Sequence, residues 1–290
     1  MQQYLPEGFT PQTHSTWDYG TLQKAAACGE PVQATVLYCD DALDLHIDLF
    51  PYEGLIPCGE VSLAGREGKL QEKMITQLVG RPVFFRVIGR LPDGRWLLSR
   101  AEAQRQAQTQ ILGSLSLGDV IPAVVTGLAP YGAFCDIGCG LPALLGIENI
   151  SVARVSHAKQ RLRVGQKLFA VIAAIDRQLC RITLSHKELL GTWKENAEQF
   201  LPGQTVPGTV RAVKPYGVFV ELTPNLSGLA EPSELYHIGD RVSVFIKSIL
   251  PQRRKIKLTI LDKWNGITLP AALHYFITSG NVAGWDYATF

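Results

Sequence analysis

The 290-residue sequence has few of the features that mark membrane-spanning or secreted proteins. Its longest apolar run, Leu168 to Ile175, covers eight residues and ends before Asp176, whereas a membrane-spanning helix needs about 20. The first nine residues contain neither the basic nor the apolar segment of a signal peptide. We therefore expect a cytoplasmic protein that does not contact membranes.

Cysteine is also scarce, with six residues at positions 28, 39, 58, 135, 139 and 180. This number is too small for a disulfide scaffold in a chain of this length. None of the cysteines forms a C-x-x-C pair, and no second ligand pair lies near Cys135 and Cys139. We expect small apolar side chains in a reducing compartment, no metal site and no other cofactor.

Signatures of catalysis are missing as well. The sequence contains no G-x-x-x-x-G-K-[ST], G-x-S-x-G, H-E-x-x-H or G-x-G-x-x-G pattern. The six histidines are scattered, and only His157 and His186 lie in basic stretches where they could touch phosphate, although surface or structural roles are favoured. We expect a protein that is not an enzyme.

What the sequence does contain is an internal repeat, in a chain whose 46% apolar and 19% charged residues are typical of a globular protein. Residues 117–136 and 202–221 share one pattern with an offset of 85 positions. The offset pairs Gly118 with Gly203, Tyr131 with Tyr216, and Phe134 with Phe219. Residues 164–185 match 238–259 in the same way, and a weaker copy of the whole unit lies upstream.

Each copy predicts five short strands, because Val, Ile, Phe and Thr alternate in runs punctuated by Gly, Pro, Asp and Asn. Five strands in about 70 residues suit a closed OB-fold barrel. The expected fold class is all-β, with three tandem five-stranded OB-fold barrels joined by short α-helical linkers. Helices are predicted over 101–112 and along one face of 185–200. The expected boundaries are an extension (1–28), domain 1 (29–102), a linker (103–116), domain 2 (117–188), a linker (189–202), domain 3 (203–263) and an aromatic tail (264–290).

The repeats resemble the RNA-binding OB-type module named after bacterial small-subunit ribosomal protein S1. The resemblance rests on Pro-Tyr-Gly-Ala/Val-Phe, a following Gly-Leu strand, Val/Ile-Gly-Gln/Asp and a closing Arg/Lys-Ile-x-Leu-Ser/Thr. It covers 117–188 and 203–262 well and 29–102 loosely, and the layout resembles short, three-module relatives of that protein.

The resemblance places Tyr131 with Phe134, and Tyr216 with Phe219, on the face that stacks nucleic-acid bases. Residues three apart on a regular strand face opposite sides, so we expect Gly132 and Gly217 to relax the pleat or host a bulge. An alternative is that one ring of each pair lies in the core. The family pattern also implies RNA contacts by the residues around the last turn, which are Asp176 and Arg181 in domain 2 and Lys255 in domain 3.

The copies also depart from the family pattern. A family histidine after the third strand is replaced by Gly146 and by Glu231, and a glutamate there would repel phosphate. In domain 1 the aromatic pair maps to Leu43 and His46, so we expect no stacking platform there. The resemblance suggests that domain 1 docks on the ribosome or a ribosomal protein instead.

Net charge also distinguishes domain 1 from domains 2 and 3. Residues 29–102 contain 8 Lys/Arg and 11 Asp/Glu, whereas 117–190 contain 8 and 5, and 203–263 contain 9 and 5. Basic clusters beside aromatic pairs favour a polyanion. The predicted phosphate contacts are Arg154, Arg161, Arg163, Arg253 and Arg254.

These observations predict a monomeric protein that binds single-stranded RNA with low sequence selectivity. The resemblance implies a task in translation, with mRNA and the ribosome as partners. Two alternatives stay open: a protein-interaction or structural module, and a regulator of RNA decay or transcription.

Overall fold

The computed structural model describes residues 4–10, 16–66, 68, 71–153, 155–263 and 273–288. These residues form three closed five-stranded barrels, which confirms the expected all-β fold class. In each barrel the third and fifth strands pair in parallel and the other pairings are antiparallel. No helix within the described ranges is long and apolar enough to cross a membrane.

Barrel 1 follows a helix, α1, that runs over Tyr19–Cys28 and begins where the Asp18 side chain accepts a hydrogen bond from Thr21 N. Its strands are β1 Val32–Cys39, β2 Leu45–Leu49, β3 Tyr52–Ile56, β4 Pro82–Arg90 and β5 Trp96–Ser99. Two short helices, α2 Leu63–Arg66 and α3 Glu72–Thr76, lie between β3 and β4. The barrel closes on a core that includes Leu45, Ile47 and Phe85.

Barrels 2 and 3 repeat this order. Barrel 2 consists of β6 Val120–Ala129, β7 Gly132–Asp136, β8 Pro142–Gly146, β9 Lys167–Asp176 and β10 Arg181–Ser185. Barrel 3 consists of β11 Thr205–Lys214, β12 Gly217–Thr223, β13 Leu226–Ala230, β14 Arg241–Leu250 and β15 Lys255–Lys263. Alternate residues of each strand point inward, so that each barrel has its own apolar core.

The first predicted linker helix is confirmed as α4, Arg100–Ser114. Its first turn belongs to a buried junction between barrels 1 and 2. The Arg100 guanidinium binds the Glu7 carboxylate with Nε–Oε1 and Nη2–Oε2 distances of 2.7 and 2.8 Å. Glu7 N donates to Asp136 Oδ2 of barrel 2 at 2.6 Å. Burial, followed by the nearby Glu7 carboxylate, raises the pKa of Asp136.

The second linker differs from the prediction of one helical face over 185–200. A 3-10 turn over Lys187–Leu190 ends at Gly191, which has a φ of +82°, and helix α5, Trp193–Ala197, begins only after it. A β-carbon on Gly191 would lie 2.5 Å from a ring carbon of Phe276. The helix is therefore interrupted because the tail packs against the linker at this glycine.

The described part of the tail runs along barrels 2 and 3. Tyr275 contacts His186, Phe276 N donates to Leu189 O at 3.0 Å, and Val282 N donates to Gly118 O at 2.8 Å. Further along, the Tyr287 hydroxyl donates to Asn225 O of barrel 3. Aromatic residues therefore dock this part of the tail on barrels 2 and 3, whereas Trp264 and Phe290 lie outside the described residues.

Candidate nucleic-acid interface

Two aromatic pairs, each with an exposed tyrosine, have the same geometry on barrels 2 and 3, and Phe219 is half-buried. The ring centroids of Tyr131 and Phe134 are 6.1 Å apart with an interplanar angle of 89°, and those of Tyr216 and Phe219 have the same values. Tyr131 is 57% exposed, Tyr216 is 64% exposed and Phe134 is 38% exposed. This edge-to-face arrangement leaves ring surface free for a further stacking partner.

Two backbone features bring both rings to one side. Tyr131 and Tyr216 each precede their strand and lie in the turn. The rule that successive strand residues point to opposite faces therefore does not apply to them. The bulge lies on the neighbouring strand, between Val125 and Gly127 of β6, rather than at Gly132 as expected. The same shift occurs between Val210 and Ala212 of β11.

The glycine between the two rings serves a different purpose. Gly132 and Gly217 have φ values of +154° and +155°. A β-carbon on Gly217 would lie 2.6 Å from the Ala230 carbonyl oxygen, and one on Gly132 would overlap the Leu145 carbonyl oxygen. Glycine is therefore required because the turn approaches the third strand too closely for a side chain.

Strand register shows which residues share a face with the rings. Phe134 lies opposite Leu144, which lies opposite Thr183 on β10. Arg181, two residues before Thr183 and exposed, is on the same face. In barrel 3 the corresponding row is Phe219, Leu229 and Lys257, with Lys255 two residues earlier. In the sequence Lys257 belongs to the basic cluster of this hairpin, but it is not among the predicted RNA contacts. Its i+2 spacing from Lys255 is the signal that places it on this face.

Asp176 has a structural task in this face. Its carboxylate accepts hydrogen bonds from Gln178 N at 3.0 Å and from Leu179 N at 2.9 Å, which closes the β9–β10 turn. Barrel 3 has Leu250 at this position and forms the turn from a 3-10 segment, Pro251–Arg253. The exposed side chains of Arg253 and Arg254 project from that turn.

The basic residues predicted as phosphate contacts in barrel 2 differ in exposure and in their partners. Arg163 is exposed, whereas Arg154 lies outside the described residues. Arg161 binds the Glu221 carboxylate of barrel 3 through both terminal nitrogens, with Nη1–Oε1 at 2.6 Å. Arg211 binds the same carboxylate at 2.9 and 3.0 Å. The structure therefore places Arg161 in a buried link between barrels 2 and 3, where its guanidinium is bound to a carboxylate.

His186 is likewise buried. Its Nδ1 donates to Ile150 O at 3.0 Å, so Nε2 accepts from the Tyr275 hydroxyl at 3.0 Å. Burial lowers the pKa of His186 to about 4, and it raises the pKa of Tyr275 to about 12. His186 thus joins barrel 2 to the tail, in agreement with a structural role rather than a phosphate contact.

The corresponding face of barrel 1 is different. Tyr38 lies opposite His46 in the register and stacks on it, with centroids 4.1 Å apart and an interplanar angle of 13°. The two ring nitrogens of His46 face the carboxylates of Asp40 and Glu53. The exposed Tyr38 ring, which sequence reasoning missed, therefore comes from β1, and the charged residues near it are Asp40, Glu53 and Arg95.

The chemistry of these faces is that of binding. Among the described residues no group of three or more His, Cys, Asp or Glu side chains is arranged to hold a metal ion. Exposed rings beside exposed Arg and Lys side chains suit bases and phosphates together. On barrel 3, Glu231 is exposed near this face and is paired with Lys247, with Oε1 and Nζ 2.8 Å apart.

Comparisons with known proteins agree with this geometry. Residues 114–187 match the S1 RNA binding domain family. The chain is 35% identical over 184 residues to small ribosomal subunit protein bS1 of Leuconostoc lactis, covering 58% of this chain and 43% of that protein. It is 32% identical over 162 residues to the bS1 homolog of Bacillus subtilis, covering 55% of this chain and 41% of the homolog. The matched region spans less than half of either relative.

Among solved structures, a multidomain protein with nucleic acid binding domains from Streptococcus pneumoniae aligns with 80% of this chain and 73% of its own length. The alignment has 15% identity and a TM-score of 0.27, so it supports no conclusion about the present chain. The conclusion rests on the family match, the bS1 relatives and the barrel topology. The second barrel matches the S1 RNA binding domain family, the chain is similar to bS1 proteins over little more than half of its length, and it is built from three closed five-stranded barrels.

Proposed function

We propose that the chain binds single-stranded RNA through the matching faces of barrels 2 and 3. The observation that carries the proposal is the repeated aromatic pair, which has the same spacing and angle on both barrels. Bases stack on Tyr131 and Phe134 and on Tyr216 and Phe219, and each stacked base contributes about 1–3 kcal/mol. Because stacking uses the face of any base, sequence selectivity is low.

The surrounding cations hold the phosphates. Arg163 and Arg181 serve barrel 2, and Arg253, Arg254, Lys255 and Lys257 serve barrel 3. Asp176 contributes by shaping the turn that presents Arg181. Each phosphate contact releases counterions, so affinity falls as salt rises. Arg161 is left out of this set because its guanidinium is bound to Glu221.

The similarity to bS1 supports a role in translation, with mRNA as ligand and the ribosome as the place of action. On this account the chain acts in the cytoplasm as a monomer, and it works by binding rather than by catalysis.

Binding to a labelled, unstructured RNA of about 15 nucleotides tests the proposal. Fluorescence anisotropy compares the unmodified chain with Tyr131→Ala/Phe134→Ala/Tyr216→Ala/Phe219→Ala at two salt concentrations. We expect salt-sensitive binding that falls at least tenfold in the variant. Phe50→Ala, which removes an exposed ring from barrel 1, is the matched control. Equal binding by all three proteins would contradict the proposal.

A second function is favoured for barrel 1. Its outer face combines the exposed ring of Tyr38 with Asp40, Asp41 and Glu53, which suits the basic side chains of a protein partner rather than RNA. Co-sedimentation with ribosomes tests this function. We expect Tyr38→Ala/Asp41→Asn to reduce ribosome association while RNA affinity stays unchanged, and unchanged association would refute it.

A further inference from the structure

A groove of about 720 Å³ lies between barrel 1, helix α4 and barrel 2. Barrel 1 contributes Leu63, Met74 and Leu78, the helix contributes Gln108 and Ile111, and barrel 2 contributes strands β6 and β7. Its volume lies within the range of about 300–1,000 Å³ that is usual for sites that bind small molecules. No barrel forms this groove alone.

The groove is continuous with the aromatic face of barrel 2. Phe134, one of the two stacking rings, lines its wall together with Thr126. Cys180 also lines it and directly precedes Arg181, which shares the face of Phe134. A strand that stacks on Phe134 is therefore at the mouth of the groove.

The charge around the groove is complementary to a nucleotide. The charged residues in its lining are Glu7, Arg81, Arg100, Asp136 and Lys167. Glu7 and Arg100 neutralise each other and Asp136 is buried, so the exposed charges are the two cations, Arg81 and Lys167. Lys167 Nζ donates to Phe9 O at 2.8 Å, which holds its charge at the groove and leaves two of its protons for a phosphate. The walls between them are largely apolar, and side-chain amides of Gln77 and Gln108 offer both donors and acceptors.

We propose that the groove receives one nucleobase of the RNA strand that is bound on barrel 2. The base inserts its flat apolar surface between barrel 1 and α4, and Arg81 and Lys167 hold the flanking phosphates. This proposal rests on the RNA-binding function proposed above, and it gives barrel 1 a share in RNA binding that its acidic outer face does not have.

Photo-crosslinking locates the inserted base. Single 4-thiouridine residues are placed at successive positions of the 15-nucleotide RNA, and crosslinked peptides of the full chain are identified by mass spectrometry. We expect at least one position to crosslink within 61–66, 71–82 or 104–112, which are segments of barrel 1 and α4. Crosslinks that are confined to barrels 2 and 3 would overturn the proposal.

Blocking variants provide the second readout. Ala64→Trp on α2 and Gln108→Trp on α4 place an indole at the groove, and we expect each to remove these crosslinks and weaken RNA binding three- to tenfold. Ala42→Trp, on an exposed loop of the same barrel, is the matched control and should bind normally. Two blocking sites on different elements separate blocking of the groove from a folding defect in one variant.

The outcomes also distinguish this inference from the function on which it rests. If the aromatic variants lose binding but both blocking variants bind normally, the groove proposal fails and the RNA-binding proposal stands. If the unmodified chain does not bind RNA, both fail.

Discussion

Barrel 1 and barrels 2 and 3 share one topology but present opposite chemistry at the same place. Where barrels 2 and 3 have Phe134 and Phe219, barrel 1 has the buried His46. The residue facing this position across the β-ladder is Tyr38 in barrel 1, Gly127 in barrel 2 and Ala212 in barrel 3. The small residue leaves the phenylalanine ring open, whereas Tyr38 covers His46.

The difference teaches that the barrel backbone does not determine the ligand. Closed sheets with inward-facing apolar residues are common to all three units. On the proposed function, two outward positions and the nearby charges decide what each face attracts. His46 is held between Asp40 and Glu53, so its environment is acidic. In barrel 1 the position of Arg181 and Lys255 is occupied by Arg95, whose guanidinium is paired with the Asp93 carboxylate, with Nη2 and Oδ2 2.7 Å apart.

The largest expected effect concerns the link that joins barrels 2 and 3. Glu221→Ala leaves Arg161 and Arg211 near each other without their carboxylate, and breaking a buried pair costs about 3–5 kcal/mol. Denaturation followed by intrinsic tryptophan fluorescence, to which Trp193 in the core of barrel 3 contributes, measures the loss. Glu231→Ala, which removes an exposed pair, should cost about 0–1 kcal/mol. Equal losses would show that barrels 2 and 3 are not held together by Glu221.

The next effect is a pH dependence at the junction between barrel 2 and the tail. Because burial lowers the pKa of His186 from 6.5 to about 4, the unfolded chain binds the proton more readily than the folded one. Neutral His186 makes its full contribution to the free energy of unfolding above about pH 6.5. As the pH falls toward 4, this free energy decreases by about 3 kcal/mol. Unfolding free energies measured from pH 7 to 4 should fall more steeply for the unmodified chain than for His186→Gln.

The junction between barrels 1 and 2 provides a control of opposite sign. The raised pKa of Asp136 means that the folded state retains a proton after the unfolded state has lost it. The contribution of Asp136 to the free energy of unfolding therefore decreases as the pH rises from about 4. In Asp136→Asn, the plot of unfolding free energy against pH should be flatter over this range. Parallel pH curves for both variants and the unmodified chain would contradict these assignments.

A smaller effect is expected at the turn that presents the rings. Gly217→Ala should destabilise barrel 3 by about 1–3 kcal/mol, because the new methyl group meets the Ala230 carbonyl oxygen. Gly113→Ala in helix α4 has open space and should instead stabilise by up to about 1 kcal/mol. Thermal unfolding of the two variants checks the sign. Barrel 1 has Asp44 at the aligned position, so this requirement belongs to the RNA-binding barrels alone.

The smallest expected effect is at Tyr38. Tyr38→Ala should change RNA affinity by less than twofold, because the Tyr38 ring stacks on His46 among carboxylates. Anisotropy with the same 15-nucleotide RNA checks this expectation. A loss comparable with that of Tyr131→Ala would make the three barrels equivalent and remove the basis of the comparison.

Much of the fold was predictable, because it follows from repeated local patterns. The 85-residue offset and the strand alternation indicated the barrels, and the Ala-, Gln- and Glu-rich stretch indicated α4. The aromatic pairs were also found from the repeat. Both predictions depend on residues that are close together in the sequence.

What escaped prediction depends on contacts between distant residues. The split of the second linker at Gly191 results from packing of Phe276, 85 positions away. The ion pair of Arg161 with Glu221 forms only where barrels 2 and 3 contact each other. The stacking of Tyr38 on His46 depends on the register between β1 and β2. A local pattern that is rich in Arg cannot distinguish a phosphate contact from a buried ion pair.

Amide hydrogen exchange with and without RNA tests the central claim most directly, because it reads all three barrels in one protein. The account predicts that RNA slows exchange in segments 131–136 and 217–221 and leaves 38–46 on barrel 1 unchanged. Protection of 38–46 without protection of 131–136 and 217–221 would contradict it, since the RNA would then lie on the acidic face.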